Sequence, residues 1–339
     1  MSEIDNISIF LQDKSVIVLL RESYALQLFF MRQLILANSQ SPGDIVMLTA
    51  ALRDLHLCHP GEFQTDVRTP FPELWENNPF ITALTDAAAE RIDCRYPLIR
   101  QSNQRPVHFL SGFTEFLSEA LQIKIVPRAF KGDIHLSEAE KSTSPFGVGS
   151  DYPFWLIVAG GKRDYTIKWW SHQRYQAVVD ALQGEVTFIQ VGAVTDHHPS
   201  LRGVVDLRGK TTLRELIRLV YFSSGIVCPV TFVMHLAAAV ETPAGMPTSR
   251  PCVVIAGGRE PPHWEAYPTH QFIHTVGQLD CCRNGGCWKA RTIPLGDNDI
   301  KDRPENLCVD VVNGLPRCMD IISTESVTSR IRSYLLPIS

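Results

Sequence analysis

Five of the nine cysteines lie close together near the C-terminal end of the chain: Cys281, Cys282, Cys287, Cys308 and Cys318. The other four are scattered, and scattered thiols of this kind are usually buried and reduced. Two glycines lie in the turn Cys281-Cys-Arg-Asn-Gly-Gly-Cys287, which can bring thiolates together on one ion, and sulfur ligands suit zinc as well as iron. We therefore expect one structural metal ion bound by Cys282, Cys287, Cys308 and Cys318, with Cys281 as a substitute.

A carboxylate stands at the start of a predicted helix near the N-terminus. The apolar run Gln33–Ala37 predicts a strand, and the turn Ser41-Pro-Gly-Asp44 leads from it into a helix. In a two-domain protein such a turn would face the cleft between the domains. The alternative is that Asp44 only caps the helix, a common role worth about 1 kcal/mol.

Glycines and cations that could bind a diphosphate follow a second apolar run. The segment Gly160-Gly-Lys-Arg163 comes directly after Phe154–Ala159, and Lys168 lies a few residues further on. Glycines let the backbone approach phosphate oxygens closely, and cations neutralise them. The alternative is that these loop cations serve solubility alone. Lys210 and Thr211, just before another predicted helix, could contact a nucleotide or only cap that helix.

The stretch Cys228–Pro243 combines a buried strand, a turn at Pro229 and a helix rich in alanine. Unpaired backbone N–H groups at such a helix start, together with the helix dipole, favour phosphate. His235 lies near this helix start. The alternatives are an ordinary packed helix and a core histidine.

A loop with a cation, an acid and a stacking surface follows the next apolar run. It extends from Gly257 to Pro268 and contains Arg259, Glu260, His263 and Trp264. These side chains suit a sugar or a base, and the prolines would keep the loop ordered. A structured surface loop without a ligand is the alternative.

The elements that must position these residues alternate strictly in the second half of the chain. The predicted strands are 154–159, 186–191, 225–228 and 251–256, and the predicted helices are 171–182, 212–220, 232–240 and 324–336. Alternation of this kind predicts an α/β fold with a parallel sheet and helices on both faces. The first half predicts a smaller α/β domain.

Polar and flexible residues divide the chain. We expect an N-terminal extension over residues 1–32, an N-terminal domain over 33–140, a linker over 141–152 and a C-terminal domain over 153–339, with the metal-binding segment at 281–318. Two domains also suit 339 residues.

Composition argues against two classes of protein. A formal charge of -4 gives no basic face for nucleic acid. The longest apolar runs are well below the ~20 residues that a membrane span needs. Charged residues interrupt the N-terminus where a signal peptide would be apolar. We therefore expect a cytoplasmic protein with no nucleic-acid partner.

Four segments occur in the order Gly43-Asp-Ile-Val-Met-Leu-Thr-Ala-Ala-Leu-Arg53, Lys168-Trp-Trp-Ser171, Asp206-Leu-Arg-Gly-Lys-Thr-Thr-Leu213 and Met234-His-Leu-Ala-Ala-Ala239. The series resembles the successive motifs of glycosyltransferase family 9, the bacterial ADP-heptose-dependent heptosyltransferases. The resemblance implies a GT-B fold of two facing Rossmann-like domains, inverting transfer of heptose from ADP-heptose to an acceptor hydroxyl, and no metal at the chemical step.

The resemblance also assigns residues. It makes Asp44 the catalytic base and places Lys168 and His235 beside the donor diphosphate. The residues expected to hold the donor are Lys168, Gly161, Lys162, Lys210, Thr211, Thr231, Met234, His235, Arg259 and Glu260. Val230, Thr231 and Phe232 stand where the family usually has Asp-Thr/Ser-Gly, so the sugar contacts are expected to come from elsewhere.

The C-terminal part carries a narrower resemblance. The segments are Gly285-Gly-Cys-Trp-Lys-Ala-Arg291, Pro294-Leu-Gly-Asp297, Leu307-Cys-Val-Asp310 and Leu315-Pro-Arg-Cys-Met-Asp320. They resemble bacterial autotransporter heptosyltransferases, which implies iron rather than zinc on the cysteines, serine hydroxyls of autotransporter proteins as acceptor, and a homo-oligomer. The alternatives are a heptosyltransferase acting on lipopolysaccharide core or on a small molecule, and a nonenzymatic metal-stapled scaffold.

Overall fold

The computed structural model describes residues 31–335 apart from Pro97, Ser150 and Asp151, and apart from the side chain of Arg100. The predicted N-terminal extension therefore lies almost wholly outside the described residues, as does Leu336 at the predicted end of the last helix.

The N-terminal half holds a parallel three-stranded sheet. Its strands are β1 (Arg32–Ala37), β2 (Phe63–Arg68) and β3 (Glu90–Asp93), in the order β2-β1-β3. Helix α1 (Pro42–Cys58) follows β1 after a short turn, and α2 (Ser111–Leu121) packs against it. Residues 45–55 of α1 are all buried, so this helix is the centre of the half.

The C-terminal half holds a six-stranded sheet in which every pair is parallel. The strands are β4 (Phe154–Ile157), β5 (Thr187–Gln190), β6 (Val205–Asp206), β7 (Gly225–Pro229), β8 (Cys252–Gly257) and β9 (Gln271–His274), in the order β6-β5-β4-β7-β8-β9. The central strands are buried on both faces, as continuous apolar runs predict.

Helices cover both faces of this sheet. The helices of the chain after α2 are α3 (Glu138–Ser142), α4 (His172–Ala181), α5 (Leu213–Phe222), α6 (Phe232–Ala239), α7 (Pro262–Glu265), α8 (Arg317–Asp320) and α9 (Thr324–Leu335). Alternate strand residues point to opposite faces. One set packs with α5, α6 and the N-terminal half, and the other packs with α4 and α9.

The predicted alternation in the second half is confirmed, with strand and helix bounds that differ by a few residues. The sequence did not predict the edge strands β6 and β9, or the hairpin of β10 (Val311–Val312) and β11 (Leu315–Pro316). Helix α3 overlaps the first two residues of the predicted linker, and it is held on the C-terminal half because Glu140 pairs with Arg214 of α5 at 2.7 Å. Among the described helices, none is both long enough and apolar enough to cross a membrane.

Candidate active site

A cleft of about 690 Å³ lies between the two halves. The residues that follow β1, β4, β5, β7 and β8 line it, so it opens at the carboxyl ends of parallel strands, where α/β proteins usually bind ligands. Nine of the predicted site residues line this cleft: Asp44, Gly161, Lys162, Lys168, Thr211, Thr231, His235, Arg259 and Glu260.

Asp44 lies in the first turn of α1, where it caps the helix and also lines the cleft. Its Oδ2 accepts a hydrogen bond from the backbone N–H of Ser41 at 3.0 Å, which caps the helix. It also lines the cleft, where burial raises its pKa to about 6, while Ser41 N–H and then Lys162 lower it. A carboxylate with this pKa is ionised at neutral pH and is basic enough to accept a proton.

Two lysines reach the same end of the cleft from the C-terminal half. Lys162 Nζ donates to Ser41 Oγ at 2.8 Å and so bridges the halves beside Asp44. Lys168 Nζ lies 2.6 Å from Glu260 Oε1, and this ion pair holds the ammonium at the cleft wall. Arg163 turns away, because its Nε donates to the carbonyl of Thr195.

Helix α6 points its N-terminus into the cleft. Thr231 is its N-cap residue, and the Thr231 carbonyl accepts a hydrogen bond from Met234 N–H at 3.0 Å. The first-turn N–H groups that helix geometry leaves without an intrahelical partner are those of Phe232 and Val233. Four residues after Thr231, His235 is 4% exposed, and its Nδ1 lies 2.9 Å from the hydroxyl of Tyr267. Burial lowers the pKa of His235 well below its usual value, so the imidazole is neutral.

The two halves approach most closely where α1 meets α6. A Cβ added to Gly43 would lie 3.2 Å from His235 Cδ2, a separation tighter than ordinary contact. Glycine at this position therefore lets the Asp44 turn lie directly against the start of α6.

The loop after β8 closes the side of the cleft. The guanidinium of Arg259 lies between the rings of Tyr165 and Trp288, at 5.1 and 5.3 Å from their centroids, and pairs with Glu260. Trp264 is buried in the same wall, whereas His263 turns outward to the carbonyl of Ser102 at 2.6 Å.

Two predicted donor residues do not line the cleft with their side chains. Met234 is fully buried in the core beneath α6. Lys210 Nζ donates to the carbonyl of Asp206 at 2.7 Å and does not line the cleft, although its neighbour Thr211 does.

The sequence missed several cleft residues. Glu265 and Trp288 line the C-terminal wall, and Phe71 and Glu73 line the N-terminal wall. Glu265 could have been predicted from the sequence, since it directly follows His263 and Trp264 in the loop from Gly257 to Pro268. Trp288 was not, because only the fold brings its segment to the cleft.

The N-terminal wall of the cleft is apolar and acidic. Its described side chains include Pro70, Phe71, Ile99 and Phe109, with Glu73 and Asp44 as acids. None of the described lysines or arginines of the N-terminal half lines the cleft.

Four thiols line one small cavity of about 10 Å³ beside Gly258, which is room for about one small ion. They belong to Cys281, Cys287, Cys308 and Cys318. The thiol of Cys282 instead points at the carbonyls of Thr275 and Leu279, at 3.5 and 3.6 Å, and Cys282 does not line the cavity, whereas Cys281 does.

The donor set fits a soft metal ion, because four thiols suit iron or zinc. Across the described ranges, however, no three Cys, His, Asp or Glu side chains stand close enough together to form a metal-binding group. Near Cys308, the fully buried guanidinium of Arg291 pairs with Asp297 at 2.7 Å and with Asp302.

Comparison with protein families gives one match. Residues 104–244 match the model of glycosyltransferase family 9 (heptosyltransferase). They include α2 and the walls of the cleft from Phe109 to His235. No curated protein matches the sequence significantly.

Several solved structures have a similar fold. The ADP-heptose lipopolysaccharide heptosyltransferase II of E. coli is 16% identical, with a TM-score of 0.56 over 90% of this chain and 98% of that chain. A glycosyltransferase of family 9 from Veillonella parvula is 12% identical, with a TM-score of 0.61 over 90% and 97%. The iron-containing dodecameric glycosyltransferase TibC of enterotoxigenic E. coli is 17% identical, with a TM-score of 0.59 over 90% and 76%.

These likenesses confirm an α/β fold with parallel sheets that matches GT-B heptosyltransferase structures. The match of residues 104–244 to the family model supports a glycosyltransferase.

Proposed function

We propose that the chain transfers heptose from ADP-heptose to an acceptor hydroxyl with inversion. The observation that carries the proposal is that Asp44 faces the same cleft as Lys168 and the start of α6. A base for the acceptor and binding groups for a departing diphosphate are thus within one site. The family match supports heptose as the sugar, and TibC has been solved in complex with ADP-D-beta-D-heptose.

The residues account for each part of one displacement. Asp44 takes the proton of the acceptor hydroxyl as its oxygen bonds to the anomeric carbon, and the bond from that carbon to the phosphate oxygen breaks. The negative charge that develops on ADP is stabilised by Lys162, Lys168 and the N–H groups at the start of α6. Attack opposite the leaving ADP inverts the anomeric carbon.

We propose a serine hydroxyl of an autotransporter protein as the acceptor. The apolar and acidic N-terminal wall supports this choice, because an uncharged hydroxyl on a peptide needs no cation there. An acceptor that carries phosphate or carboxylate groups would gain from lysine or arginine on that wall. The alternatives remain a core or small-molecule acceptor.

We also propose that Cys281, Cys287, Cys308 and Cys318 bind one structural ion, with iron favoured, and that the chain forms a homo-oligomer. Their common cavity supports the metal, and the iron-containing, dodecameric TibC supports both parts. The ion would hold the C-terminal segment together and take no part in sugar transfer.

One experiment tests donor and acceptor together. The purified chain is incubated with ADP-heptose and a co-purified autotransporter fragment, and the fragment's intact mass is measured. We expect mass increments of one heptose residue, with ADP released in equal amount. Transfer to lipopolysaccharide core but not to the fragment would contradict the acceptor, and no consumption of ADP-heptose with any acceptor would contradict the function.

A further inference from the structure

Glu265 is a buried acid at the junction of the two halves. It is the last residue of α7, is 6% exposed and lines the cleft. The position of its backbone is fixed, because the preceding carbonyl, that of Trp264, accepts a hydrogen bond from Phe109 N–H at 2.8 Å. The ring of Trp264 also packs on that of Phe109, at 5.3 Å between centroids. Both halves therefore hold Glu265 in place.

One oxygen of this carboxylate is unused by the protein. Oε2 of Glu265 is buried and has no hydrogen-bond partner among the residues that the structure describes. Its nearest charged or titratable neighbour is Nε2 of His235, at 3.5 Å. Burying a carboxylate oxygen without a partner is costly, so native proteins rarely keep one without a ligand or a function.

Other unused polar atoms lie in the same region. Oε2 of Glu260, whose Oε1 pairs with Lys168, and the hydroxyl of Tyr96 are also buried without a partner among the described residues. Burial, and then the charges of Asp44 and Glu265, raise the pKa of Tyr96 well above its usual value. Glu260 and Glu265 line the cleft, and their two unpartnered acceptor oxygens suit a ligand with several hydroxyl groups.

Glu265 lies in the part of the cleft where the transferred sugar would bind. Burial raises the pKa of Glu265 to about 7, Lys168 and Arg259 oppose this shift and Asp44 adds to it, and the side chain contacts His235 in the first turn of α6. In the proposed reaction the sugar lies between the acceptor base and the diphosphate. Asp44, Lys168 and the start of α6 line the same cleft as Glu265.

We infer that Glu265 accepts hydrogen bonds from hydroxyl groups of the transferred sugar and selects the donor by its sugar rather than by its nucleotide. This inference rests on the proposed function. It also supplies a sugar-binding carboxylate in a chain whose α6 begins with the apolar residues Val230 and Phe232 flanking Thr231.

The test compares two ligands on the full chain by isothermal titration calorimetry. ADP carries every group of the donor except the sugar, so the ratio of the Kd for ADP to that for ADP-heptose measures the sugar contacts alone. We expect Glu265→Gln to leave the Kd for ADP within about twofold and to weaken ADP-heptose roughly ten- to a hundredfold, the usual cost of losing hydrogen bonds to a charged group. Glu305→Gln makes the same change on the exposed surface and serves as the control.

The outcomes separate the inference from the function. Equal weakening of both ligands by Glu265→Gln would overturn the inference, because it would mean that Glu265 only orients His235 or supports the fold. No weakening of ADP-heptose would overturn it too. If Glu265→Gln does not fold, Glu265→Asp is measured by the same ratio, since it keeps the charge and withdraws it by one methylene. Failure of the unaltered chain to bind ADP-heptose would overturn the proposed function itself.

Discussion

At the scale of single residues, Asp44 has a structural role at the start of α1 and is also the proposed base. One oxygen caps α1 through Ser41 N–H, and the carboxylate still lines the cleft. Its pKa is raised to about 6 mainly because burial disfavours the charged form. Lys162 opposes this effect, which keeps Asp44 ionised at neutral pH.

Replacing Asp44 should abolish most transfer without unfolding the chain. Asp44→Asn keeps an oxygen for Ser41 N–H but cannot take a proton, so we expect kcat to fall roughly 10²- to 10⁴-fold. For the unaltered chain, kcat/KM should fall about tenfold per pH unit below about pH 6, because protonation of a group with a raised pKa removes the base from that pH downward. Initial rates of ADP release between pH 5 and pH 8 measure both effects.

Asp93→Asn is a suitable control, because Asp93 is exposed at the end of β3 and pairs only with Arg91 among the described residues. It should leave kcat and the pH profile unchanged. Full transfer activity in Asp44→Asn, or an acid limb that persists in its residual rate, would show that another group is the base.

At the scale of elements, a short strap joins the cysteine segment to both halves; it consists of the side chains of Asn103 and Trp288 and the backbone of Gly286. The side chain of Asn103, in the N-terminal half, accepts from Gly286 N–H and Trp288 Nε1 at 3.0 Å each, and donates to the Gly286 carbonyl at 2.9 Å. Trp288 adopts a φ of 55°, a left-handed conformation that costs a bulky residue about 1–3 kcal/mol. Its ring in turn lies against Arg259 in the cleft wall.

Removing the hydrogen bonds of Asn103 should weaken donor binding, although Asn103 itself does not line the cleft. Asn103→Ala removes three hydrogen bonds and frees Trp288, so Arg259 loses one of the two rings that hold it. We expect the Kd for ADP to rise about three- to tenfold, equivalent to about 1 kcal/mol, by calorimetry.

Asn103→Asp provides the matched comparison, because its carboxylate can still accept from Gly286 N–H and Trp288 Nε1 and loses only the donated bond. It should lie between the unaltered chain and Asn103→Ala. An unchanged Kd in Asn103→Ala would mean that Arg259 is held without the strap.

At the scale of the whole molecule, one apolar core continues from the N-terminal half into the C-terminal half. It includes Leu34 of β1, Ile45 of α1, Phe109, and Met234 of α6. The cysteine segment packs on the outer side, where Cys318 and Met319 join the second core beneath α9. A metal in the thiol cavity would thus be fixed to the sheet that carries the donor groups.

The lining of the thiol cavity predicts different effects for substitutions of the adjacent cysteines Cys281 and Cys282. Cys281→Ser should reduce bound iron or zinc from about one ion per chain to nearly none, whereas Cys282→Ser should retain it, because only Cys281 lines the cavity. Metal content is measured by plasma mass spectrometry on freshly purified protein, with oligomer mass from light scattering.

Cys58→Ser, far from the cavity, should change neither quantity. Retention of the metal in Cys281→Ser together with its loss in Cys282→Ser would restore the ligand set that the spacing favoured. Absence of stoichiometric metal from the unaltered chain would contradict the metal proposal altogether.

The sequence by itself determined the elements and the ends of strands from which the cleft is built. Apolar runs such as Phe154–Ile157 and Cys252–Gly257 form buried parallel strands because their pattern allows little else. Asp44, Lys168 and His235 each lie in the loop or first helical turn that follows such a strand, so local order alone placed them at the cleft. The motif resemblance added their expected roles.

Only the tertiary structure decided which distant residues meet. Lys162 reaches Ser41 across 121 positions, and Asn103 reaches Gly286 across 183, distances over which no local pattern carries information. The same holds for Glu265, whose unused oxygen becomes visible only once the residues around it are placed. Likewise, the choice of Cys281 over Cys282 depends on which way each thiol points after folding, and spacing along the chain cannot specify that direction.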